Sequence, residues 1–321
     1  MNIYITREIP DNGIQMLKDA GYEVIVSKEK RPLTKAELIA EFSKNKYDAV
    51  LSLLTDEIDG EVIDSMDGVK VIAQYAVGYN NIDVDYAKSK GITVCNVPTS
   101  AGELVAEHTL ALMFALTSRI SWADTFVKTG QYKGWDPKLL RGETLYRKTL
   151  GIIGAGDIGT HVAMLCGRGL GMEVLYFDIK RNDNLETVTG AVFCEDIDEV
   201  LRRSDVVSLH VPLNVHTRHL IDAEKLGLMK SNALLVNTAR GAVIDEKALV
   251  KALQDGQIAG AGLDVFENEP ELTSGLADLP NVILTPHIAS GTLDNRREMS
   301  RVSAENIIEV LEKRDVKNRV N

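Results

Sequence analysis

Residues 150–159 read Leu-Gly-Ile-Ile-Gly-Ala-Gly-Asp-Ile-Gly, and Asp178 ends the next apolar run of the chain. The apolar residues before Gly154 predict a short strand, and the spacing after Gly156 predicts a helix over residues 157–170. Three glycines therefore stand where a strand turns into a helix. This is the context that a dinucleotide-binding turn requires.

Each glycine of the turn has a separate physical task. Gly154 permits the tight turn, Gly156 lets the backbone approach a pyrophosphate, and Gly159 lets the helix pack closely on the strand. The amides at the start of the helix, among them those of Asp157 and Ile158, have no partner within the helix and lie at its positive end. We expect them to bind the phosphates of the dinucleotide.

The residues after the second strand bear on the choice of coenzyme. Asp178 lies about 20 residues beyond the glycines, where a carboxylate accepts hydrogen bonds from the ribose hydroxyls, which favours NAD. Lys180 and Arg181 follow, and cations there could accommodate the 2′-phosphate of NADP, but Asp178 would repel it. We therefore predict NAD (NADH) as the cofactor, with NADP as a weaker second.

Size and charge limit the classes of function. The chain has 321 residues, enough for about two domains. Its 36 basic and 47 acidic residues give a net charge of −11, which argues against a nucleic-acid partner and means that an acidic substrate must be held locally. The sequence contains three cysteines without CxxC spacing, and we interpret them as reduced thiols.

The apolar runs of the sequence bear on the cellular location of the protein and on whether it spans a membrane. The chain begins directly with a strand-like run and not with a secretory leader, so a cytoplasmic location is expected. The longest apolar stretch, residues 104–116, carries Glu107 and His108 and is too short and polar to span a bilayer. We expect no contact with a membrane.

Strand-like runs alternate with helical patterns along the whole chain, which predicts α/β architecture with parallel sheets. The strands are expected at residues 2–6, 23–26, 49–54, 69–73 and 92–94, and in a second series at 149–153, 174–177, 205–209, 233–237, 259–263 and 282–285. Thr34 and Glu37 have the spacing of a capping box that starts a helix. A helical stretch at 102–129, interrupted near Ser118, separates the two series.

The dinucleotide turn lies in the second series, so one α/β unit precedes it. The closing helix, residues 291–313, follows the last strand without a sheet of its own, and we expect it to return to the first unit. We predict two Rossmann-like, doubly wound parallel-sheet domains with a cleft between them. Residues 1–99 and 288–321 would form the substrate domain, and residues 100–287 the NAD-binding domain.

Ligands of open α/β sheets bind outside the carboxyl ends of the strands, and this rule selects three polar residues. Arg240, Glu269 and His287 each follow a predicted strand of the second series. A hydride that arrives at a carbonyl carbon leaves negative charge on oxygen, which then needs a proton. A cation, a carboxylate and an imidazole at one edge supply what carbonyl reduction requires.

Four further segments, in a fixed order around the glycine turn, resemble the D-isomer-specific 2-hydroxyacid dehydrogenase family. They are Tyr75–Asp83, Asn237–Gly241, Gly262–Pro270 and Thr285–Ile288. Within this family, Ile5–Pro10, Leu53–Asp59 and Tyr75–Gly78 resemble the glyoxylate/hydroxypyruvate reductases. The likeness covers essentially the whole chain. It implies an NAD-dependent oxidoreductase that reduces a short 2-keto acid, with glyoxylate or hydroxypyruvate first.

The resemblance implies a role for each polar residue at the strand ends. His287 is the general acid, and Glu269 is its hydrogen-bonded partner, which stabilises the protonated imidazole. Arg240 pairs with the substrate carboxylate and polarises the ketone. The amides of Val77 and Gly78 complete the carboxylate site, and Leu54 and Trp135 line the substrate pocket.

The resemblance also implies contacts with the cofactor and between subunits. Asp264 is placed near the nicotinamide amide, and Val211 and Pro212 cover the adenine. The implied cofactor residues are Gly154, Gly156, Asp157, Ile158, Gly159, Asp178, Val211, Pro212, Thr238, Ala239, Arg240, Asp264 and His287. Trp135 belongs to a segment that reaches the partner's active site in a dimer, so a homodimer is expected.

Other readings of the sequence stay open. A D-lactate or other D-2-hydroxyacid dehydrogenase differs only in the substrate pocket. A non-catalytic, NADH-sensing interaction protein is the reading from another class, because relatives of this fold act in corepression. His216 and His219 have a spacing found in metal sites, but no third ligand is evident and hydride transfer needs none, so no metal is predicted.

Overall fold

The computed structural model describes residues 1–98 and 101–321. It divides into two units, Met1–Ser100 with Gly291–Asn321, and Ala101–Ser290. The predicted domain boundary at residues 99 and 100 lies outside the described residues. The chain returns from the second unit to the first between residues 290 and 291, three residues later than predicted. The reason is that the backbone amides of residues 288 and 289 are hydrogen-bonded within the second unit.

The first unit contains a five-stranded parallel sheet in the order β2-β1-β3-β4-β5. Its strands are β1 (Asn2–Ile5), β2 (Glu23–Val26), β3 (Ala49–Ser52), β4 (Val71–Gln74) and β5 (Thr93–Cys95). Its helices are α1 (Asp11–Asp19), α2 (Lys35–Lys44), α3 (Gly60–Ser65), α4 (Val84–Ser89) and the C-terminal α12 (Leu293–Leu311).

The C-terminal helix α12 packs on α1 with very little space between them. Ser300 Oγ donates a hydrogen bond to the carbonyl of Pro10 at 2.6 Å. A Cβ on Gly13 would lie 2.2 Å from the carbonyl oxygen of Ser300, so only glycine permits this approach. The last 31 residues of the chain thus complete the core of the first unit.

The second unit contains a seven-stranded parallel sheet in the order β12-β11-β10-β9-β6-β7-β8. Its strands are β6 (Thr149–Ile153), β7 (Glu173–Phe177), β8 (Val192–Phe193), β9 (Val206–Leu209), β10 (Leu234–Asn237), β11 (Gly260–Leu263) and β12 (Val282–Leu284). Its helices are α5 (Ala101–Thr117), α6 (Ile120–Lys128), α7 (Asp157–Met164), α8 (Asp183–Thr189), α9 (Ile197–Arg203), α10 (Ala223–Leu228) and α11 (Glu246–Gln254).

The strands are apolar because both faces of each sheet are covered. Leu150, Ile152 and Ile153 of β6 are fully buried, as expected for a parallel strand between two helical layers. The strand order reverses direction between β6 and β9. In open α/β sheets this reversal is where a crevice for a ligand opens.

Most predicted elements are present, and the differences have local causes. The capping box at Thr34 and Glu37 is confirmed. The predicted break near Ser118 is also confirmed, since α6 starts after Arg119, which has a φ of 51°. The helix predicted over 157–170 ends as α-helix at residue 164 and continues as a π-helical turn, Leu165–Gly169.

The sequence pattern did not indicate α3 or the two-residue strand β8, because both are too short for a clear periodicity. Among residues 1–98 and 101–321, none of the helices combines the length and the apolar character that crossing a bilayer would demand.

Candidate functional site

The carboxyl edge of the seven-stranded sheet collects most of the polar residues selected from the sequence. The glycine turn follows β6, Val211 follows β9, and Arg240 follows β10. Asp264 follows β11, and His287 follows β12. All strands of this sheet run in the same direction, so these segments leave it at one edge.

The glycine turn has the geometry that its sequence predicts. Gly154 has a φ of 96°, and a Cβ on it would lie 2.7 Å from the carbonyl carbon of His210. A Cβ on Gly159 would lie 2.2 Å from the carbonyl oxygen of Gly154. By contrast, a Cβ on Gly156 would meet nothing within 4 Å, so the start of α7 faces open space that a phosphate would fit.

The loop after β7 is hydrogen-bonded to the glycine turn at both of its ends. Asp178 Oδ2 accepts a hydrogen bond from the amide of Ala155 at 2.7 Å. Asn182 Nδ2 donates to the carbonyl of the same residue, also at 2.7 Å. Asp178 is therefore fixed beside the turn, where the sequence predicts a contact with the adenosine ribose.

The turn that carries Arg240 is built by a buried amide side chain. Asn237 Oδ1 accepts from the amide of Ala239 at 3.0 Å, and Asn237 Nδ2 donates to the carbonyl of Arg240 at 2.9 Å. A Cβ on Gly241 would lie 1.8 Å from the carbonyl carbon of Phe266. Glycine is required there because the loop that leads to Glu269 crosses the turn.

Burial lowers the pKa of Arg240, and the charge of Glu269 acts in the opposite direction. A guanidinium remains protonated under such a change because its ordinary pKa lies far above neutrality. Arg240 is thus a half-buried cation in the vicinity of a carboxylate.

Glu269 and His287 form a hydrogen-bonded pair. His287 Nδ1 lies 2.9 Å from Glu269 Oε2, and Glu269 Oε1 accepts from the amide of Phe266 at 3.0 Å. Both side chains are about a quarter exposed, at 27% for His287 and 28% for Glu269. Burial acts to raise the pKa of Glu269, but the hydrogen bond and the charge of His287 outweigh it and lower that pKa. The carboxylate is therefore ionised at neutral pH and orients the ring.

A buried carboxylate, Asp264, holds the turn on which His287 lies. Its Oδ1 accepts from Thr285 Oγ1 at 2.6 Å and from the amide of Ile288 at 2.9 Å, and its Oδ2 accepts from the amide of Ala289 at 2.8 Å. The carbonyl of Asp264 accepts from the amide of His287 at 2.8 Å. Burial acts to raise the pKa of Asp264, but these hydrogen bonds and one from His108 lower it.

This network gives His287 an unusual backbone. Its φ is 53°, a region that residues other than glycine seldom adopt. Such a conformation persists only where the surroundings determine it, and here Asp264 bonds the residues on either side. The carboxylate of Asp264 is directed at the turn, and its predicted contact with the nicotinamide amide stays a prediction.

His108 and His210 are the residues that the sequence analysis missed at this edge. The sequence assigns no role to His108 at this edge, yet its Nε2 lies 3.1 Å from Thr285 Oγ1 and 3.3 Å from Asp264 Oδ1. His210 follows β9, and its burial lowers its pKa to about 3, so the ring is neutral. Its Nε2 lies 2.8 Å from Ser208 Oγ. No local motif marks either residue, and the contacts of His108 come from segments more than 150 residues away in sequence.

The remaining residues of the predicted site lie elsewhere in the chain. Leu54, Val77 and Gly78 belong to the first unit, where the carbonyl of Val77 accepts from Asn96 Nδ2 at 2.8 Å. Trp135 lies in the second unit and is 82% exposed. Their contacts with substrate stay predictions.

The other predicted cofactor residues lie at the carboxyl edge of the seven-stranded sheet. Thr238 Oγ1 lies 2.9 Å from Thr109 Oγ1, and the carbonyl of Pro212 accepts from Thr217 Oγ1 at 2.6 Å. Of the two histidines considered for a metal, His219 lies 2.6 Å from a carboxylate oxygen of Glu267. Within the described part of the chain, no group of three potential metal ligands is found.

Comparison with known proteins identifies the family. Residues 110–289 match the model of the D-isomer specific 2-hydroxyacid dehydrogenase NAD-binding domain. The chain is 44% identical over 311 residues to a glyoxylate reductase of Thermofilum pendens, covering 96% of this chain and 91% of that protein.

Solved structures give the same result. The TT0316 protein of Thermus thermophilus is 38% identical, with a TM-score of 0.93 and full coverage of both chains. A glyoxylate reductase of Paecilomyes thermophila is 32% identical, with a TM-score of 0.87 and coverage of 100% of this chain and 98% of that one. The chain belongs to the D-isomer specific 2-hydroxyacid dehydrogenase family and is an oxidoreductase that acts on CH–OH groups.

Proposed function

We propose that the protein is an NADH-dependent reductase of a short 2-keto acid, with glyoxylate or hydroxypyruvate as its substrate. The observation that carries this proposal is the Glu269–His287 pair, 2.9 Å apart, in the same unit as the half-buried cation Arg240. The relatives named glyoxylate reductase, which match over nearly the whole chain, support this choice of substrate.

A dinucleotide fits the chain's own residues. The open space in front of Gly156 and the amides of Asp157 and Ile158 suit a pyrophosphate. Asp178, fastened to Ala155, suits the adenosine ribose of NAD. Thr238, Ala239, Val211 and Pro212 would line the rest of the coenzyme. When bound, the nicotinamide supplies the hydride that the keto carbon accepts.

His287 would supply the proton. Because Nδ1 faces Glu269, Nε2 is the ring nitrogen left for the substrate oxygen. The ionised Glu269 stabilises the protonated ring and fixes its orientation. As the hydride reaches the carbon, the N–H bond of Nε2 breaks and its proton moves to the carbonyl oxygen. The product is the 2-hydroxy acid.

Arg240 would bind the substrate carboxylate. A guanidinium offers two parallel N–H donors to a carboxylate, and the low polarity around a half-buried group strengthens that pairing. Such a local cation is needed because the net charge of the chain is −11. The amides of Val77 and Gly78, with Leu54, are proposed to complete the substrate contacts.

We also propose a cytoplasmic homodimer. Cys95, Cys166 and Cys194 are free and buried, which suits a reducing compartment. Large apolar residues are exposed along the segment that contains Trp135, and clusters of this kind mark protein interfaces. They are Ile120, Val127, Tyr132, Trp135 and Tyr146.

The substrate panel tests the function. With NADH, we expect glyoxylate or hydroxypyruvate to be reduced with a higher kcat/KM than pyruvate, and hydroxypyruvate to give D-glycerate. A preference for pyruvate would instead support a D-lactate dehydrogenase. Tight NADH binding without turnover of any keto acid would support a sensor protein.

Replacement of the proton donor tests the mechanism. We expect His287→Ala to lower kcat by about 10²- to 10⁴-fold, the usual contribution of general acid catalysis, while most NADH binding is retained. Steady-state kinetics and a fluorescence titration with NADH measure the two quantities. His216→Ala, which removes an exposed histidine, is the control. Comparable turnover by the His287 variant would exclude this residue as the proton donor.

Replacement of the cation tests substrate binding. Arg240→Lys keeps the charge but loses the two-pronged geometry, so we expect kcat/KM for the keto acid to fall by about tenfold or more. Arg218→Lys is a matched control, because Arg218 is 57% exposed and pairs with Glu267. An unchanged kcat/KM in the Arg240 variant would contradict its proposed role.

Removal of the Asp264 charge tests what positions His287. The folded pKa of Asp264 lies below its ordinary 3.8, so its stabilising effect is complete above about pH 4 and is lost as pH falls through the folded pKa. We expect Asp264→Asn to cost about 2–3 kcal/mol at pH 7, because hydrogen bonds to a buried charge are lost. The gap in the free energy of unfolding between this variant and the unsubstituted protein should become smaller at acidic pH.

Urea unfolding at pH 7 and at pH 3 measures this gap. Tryptophan fluorescence is a suitable signal, since both tryptophans, Trp122 and Trp135, lie in the second unit. Asp255→Asn is the control, because that carboxylate is 58% exposed and pairs with Lys251 within one helix turn; its expected cost is below about 0.5 kcal/mol. A gap of the same size at both pH values would refute the assignment.

The oligomeric state has a direct test. Sedimentation at micromolar concentration should give about twice the chain mass of 35.2 kDa. If Trp135 reaches the partner's active site, Trp135→Ala should raise KM for the keto acid without changing the Kd of NADH. A species of 35.2 kDa alone would contradict the dimer.

A further inference from the structure

The loop that carries Arg181 lies close to the dinucleotide turn. Asp178 and Asn182, at the two ends of this loop, bind the amide and the carbonyl of one residue, Ala155. Arg181 directly precedes Asn182, the second of these two residues. A guanidinium on so short a loop has the length to reach the ribose beside Asp178.

In the structure, the side chain of Arg181 is bound by Glu186 of α8. Arg181 Nε donates to Glu186 Oε1 at 3.1 Å, and Arg181 Nη2 donates to Glu186 Oε2 at 2.8 Å. This is a two-pronged, charge-assisted pair, the geometry in which a guanidinium binds a carboxylate best. The guanidinium also lies over the ring of Phe193, with Cζ 5.5 Å from the ring centre.

A further hydrogen bond fixes the position of the Glu186 carboxylate. Tyr176 Oη donates to Glu186 Oε1 at 2.6 Å, and the same hydroxyl accepts from the amide of Asn182 at 2.9 Å. Only 24% of the Glu186 side chain is exposed, against 61% for Arg181. The carboxylate is thus the fixed partner, and the arginine is the mobile one.

We propose that Glu186 is a specificity-determining residue: it withholds Arg181 from the adenosine ribose, and so denies the 2′-phosphate of NADP its cation. This inference rests on the proposed use of a nicotinamide dinucleotide. Asp178 opposes the phosphate by its charge, and Glu186 opposes it by occupying the guanidinium that would neutralise it. NADH has no 2′-phosphate, so this arrangement does not weaken its binding.

The competition is between two anions for one guanidinium. In the present chain a 2′-phosphate competes with Glu186 for Arg181, and it must break two hydrogen bonds to take the Nε and Nη2 donors that the carboxylate occupies. Without the Glu186 charge the guanidinium is released, and a phosphate becomes its best partner. Glu186→Gln keeps the side-chain length and an oxygen for Tyr176 but removes the charge.

Coenzyme binding, measured without substrate, tests the proposal. We expect Glu186→Gln to lower the ratio of the NADPH Kd to the NADH Kd by at least about fivefold, as a charge-assisted contact to phosphate is gained. Binding of 2′,5′-ADP, an adenosine fragment with the 2′-phosphate, should tighten in parallel and weaken with added salt. Fluorescence titration and calorimetry give these constants.

Two further variants make the test specific. In Glu186→Gln with Arg181→Ala the gain should vanish, whereas Arg181→Ala alone should leave the ratio nearly unchanged. Glu199→Gln is the matched control, since it removes a glutamate from a pair with Arg203 on the next helix, α9, and it should change neither constant.

The outcomes separate this proposal from the proposed function. An unchanged ratio in Glu186→Gln and in Glu186→Ala, with the melting temperature and NADH binding retained, would overturn the proposal. A large loss of NADPH binding in Arg181→Ala alone would also overturn it, because Arg181 would then already contact the phosphate. Failure to reduce any keto acid would contradict the proposed function but leave the binding test valid.

Discussion

A buried carboxylate, that of Asp264, determines where the His287 imidazole lies. A charge without solvent is costly unless donors surround it, and here the donors are the hydroxyl of Thr285 and the amides of Ile288 and Ala289. The segment from 285 to 289 must therefore fold around this carboxylate. That requirement forces His287 to a φ of 53° and brings its ring to Glu269.

The strand order makes such a cluster possible, and a few glycines let its loops cross. Parallel strands deliver Arg240, Asp264 and His287 to one edge of the seven-stranded sheet. Gly241 lets the loop to Glu269 cross the Arg240 turn, since a Cβ there would lie 1.8 Å from a backbone carbon. Gly154 does the same where the glycine turn meets the residue after β9. The proposed chemistry therefore depends on backbone contacts that no side chain would permit.

Local sequence was sufficient to predict most of the strands and the polar residues at their ends. The apolar runs became the strands, with small changes at their boundaries, because parallel strands are buried on both faces and show as unbroken runs. The glycine spacing predicted the turn, since each glycine answers a steric demand close to it in sequence. Among the elements that were not predicted, α3 and β8 are only six and two residues long.

Contacts between distant segments could not be predicted in this way. His108 is 177 residues from Thr285, and nothing near it in sequence indicates that its ring would approach Asp264. Glu186 and Arg181 are only five residues apart in sequence, but their ion pair also depends on contacts with Tyr176 and Phe193, which belong to two different strands. The sequence thus predicts a cation near the ribose, and only the structure shows that Glu186 binds this cation.

A crystal structure of the protein with NADH and oxamate, an analogue of a 2-keto acid that is not reduced, tests the proposed chemistry directly. We expect His287 Nε2 within about 3 Å of the amide oxygen of oxamate, which occupies the place of the keto oxygen, with Nδ1 still bound to Glu269 and the oxamate carboxylate paired with Arg240. An imidazole turned away from the analogue, or another residue donating to that oxygen, would contradict it.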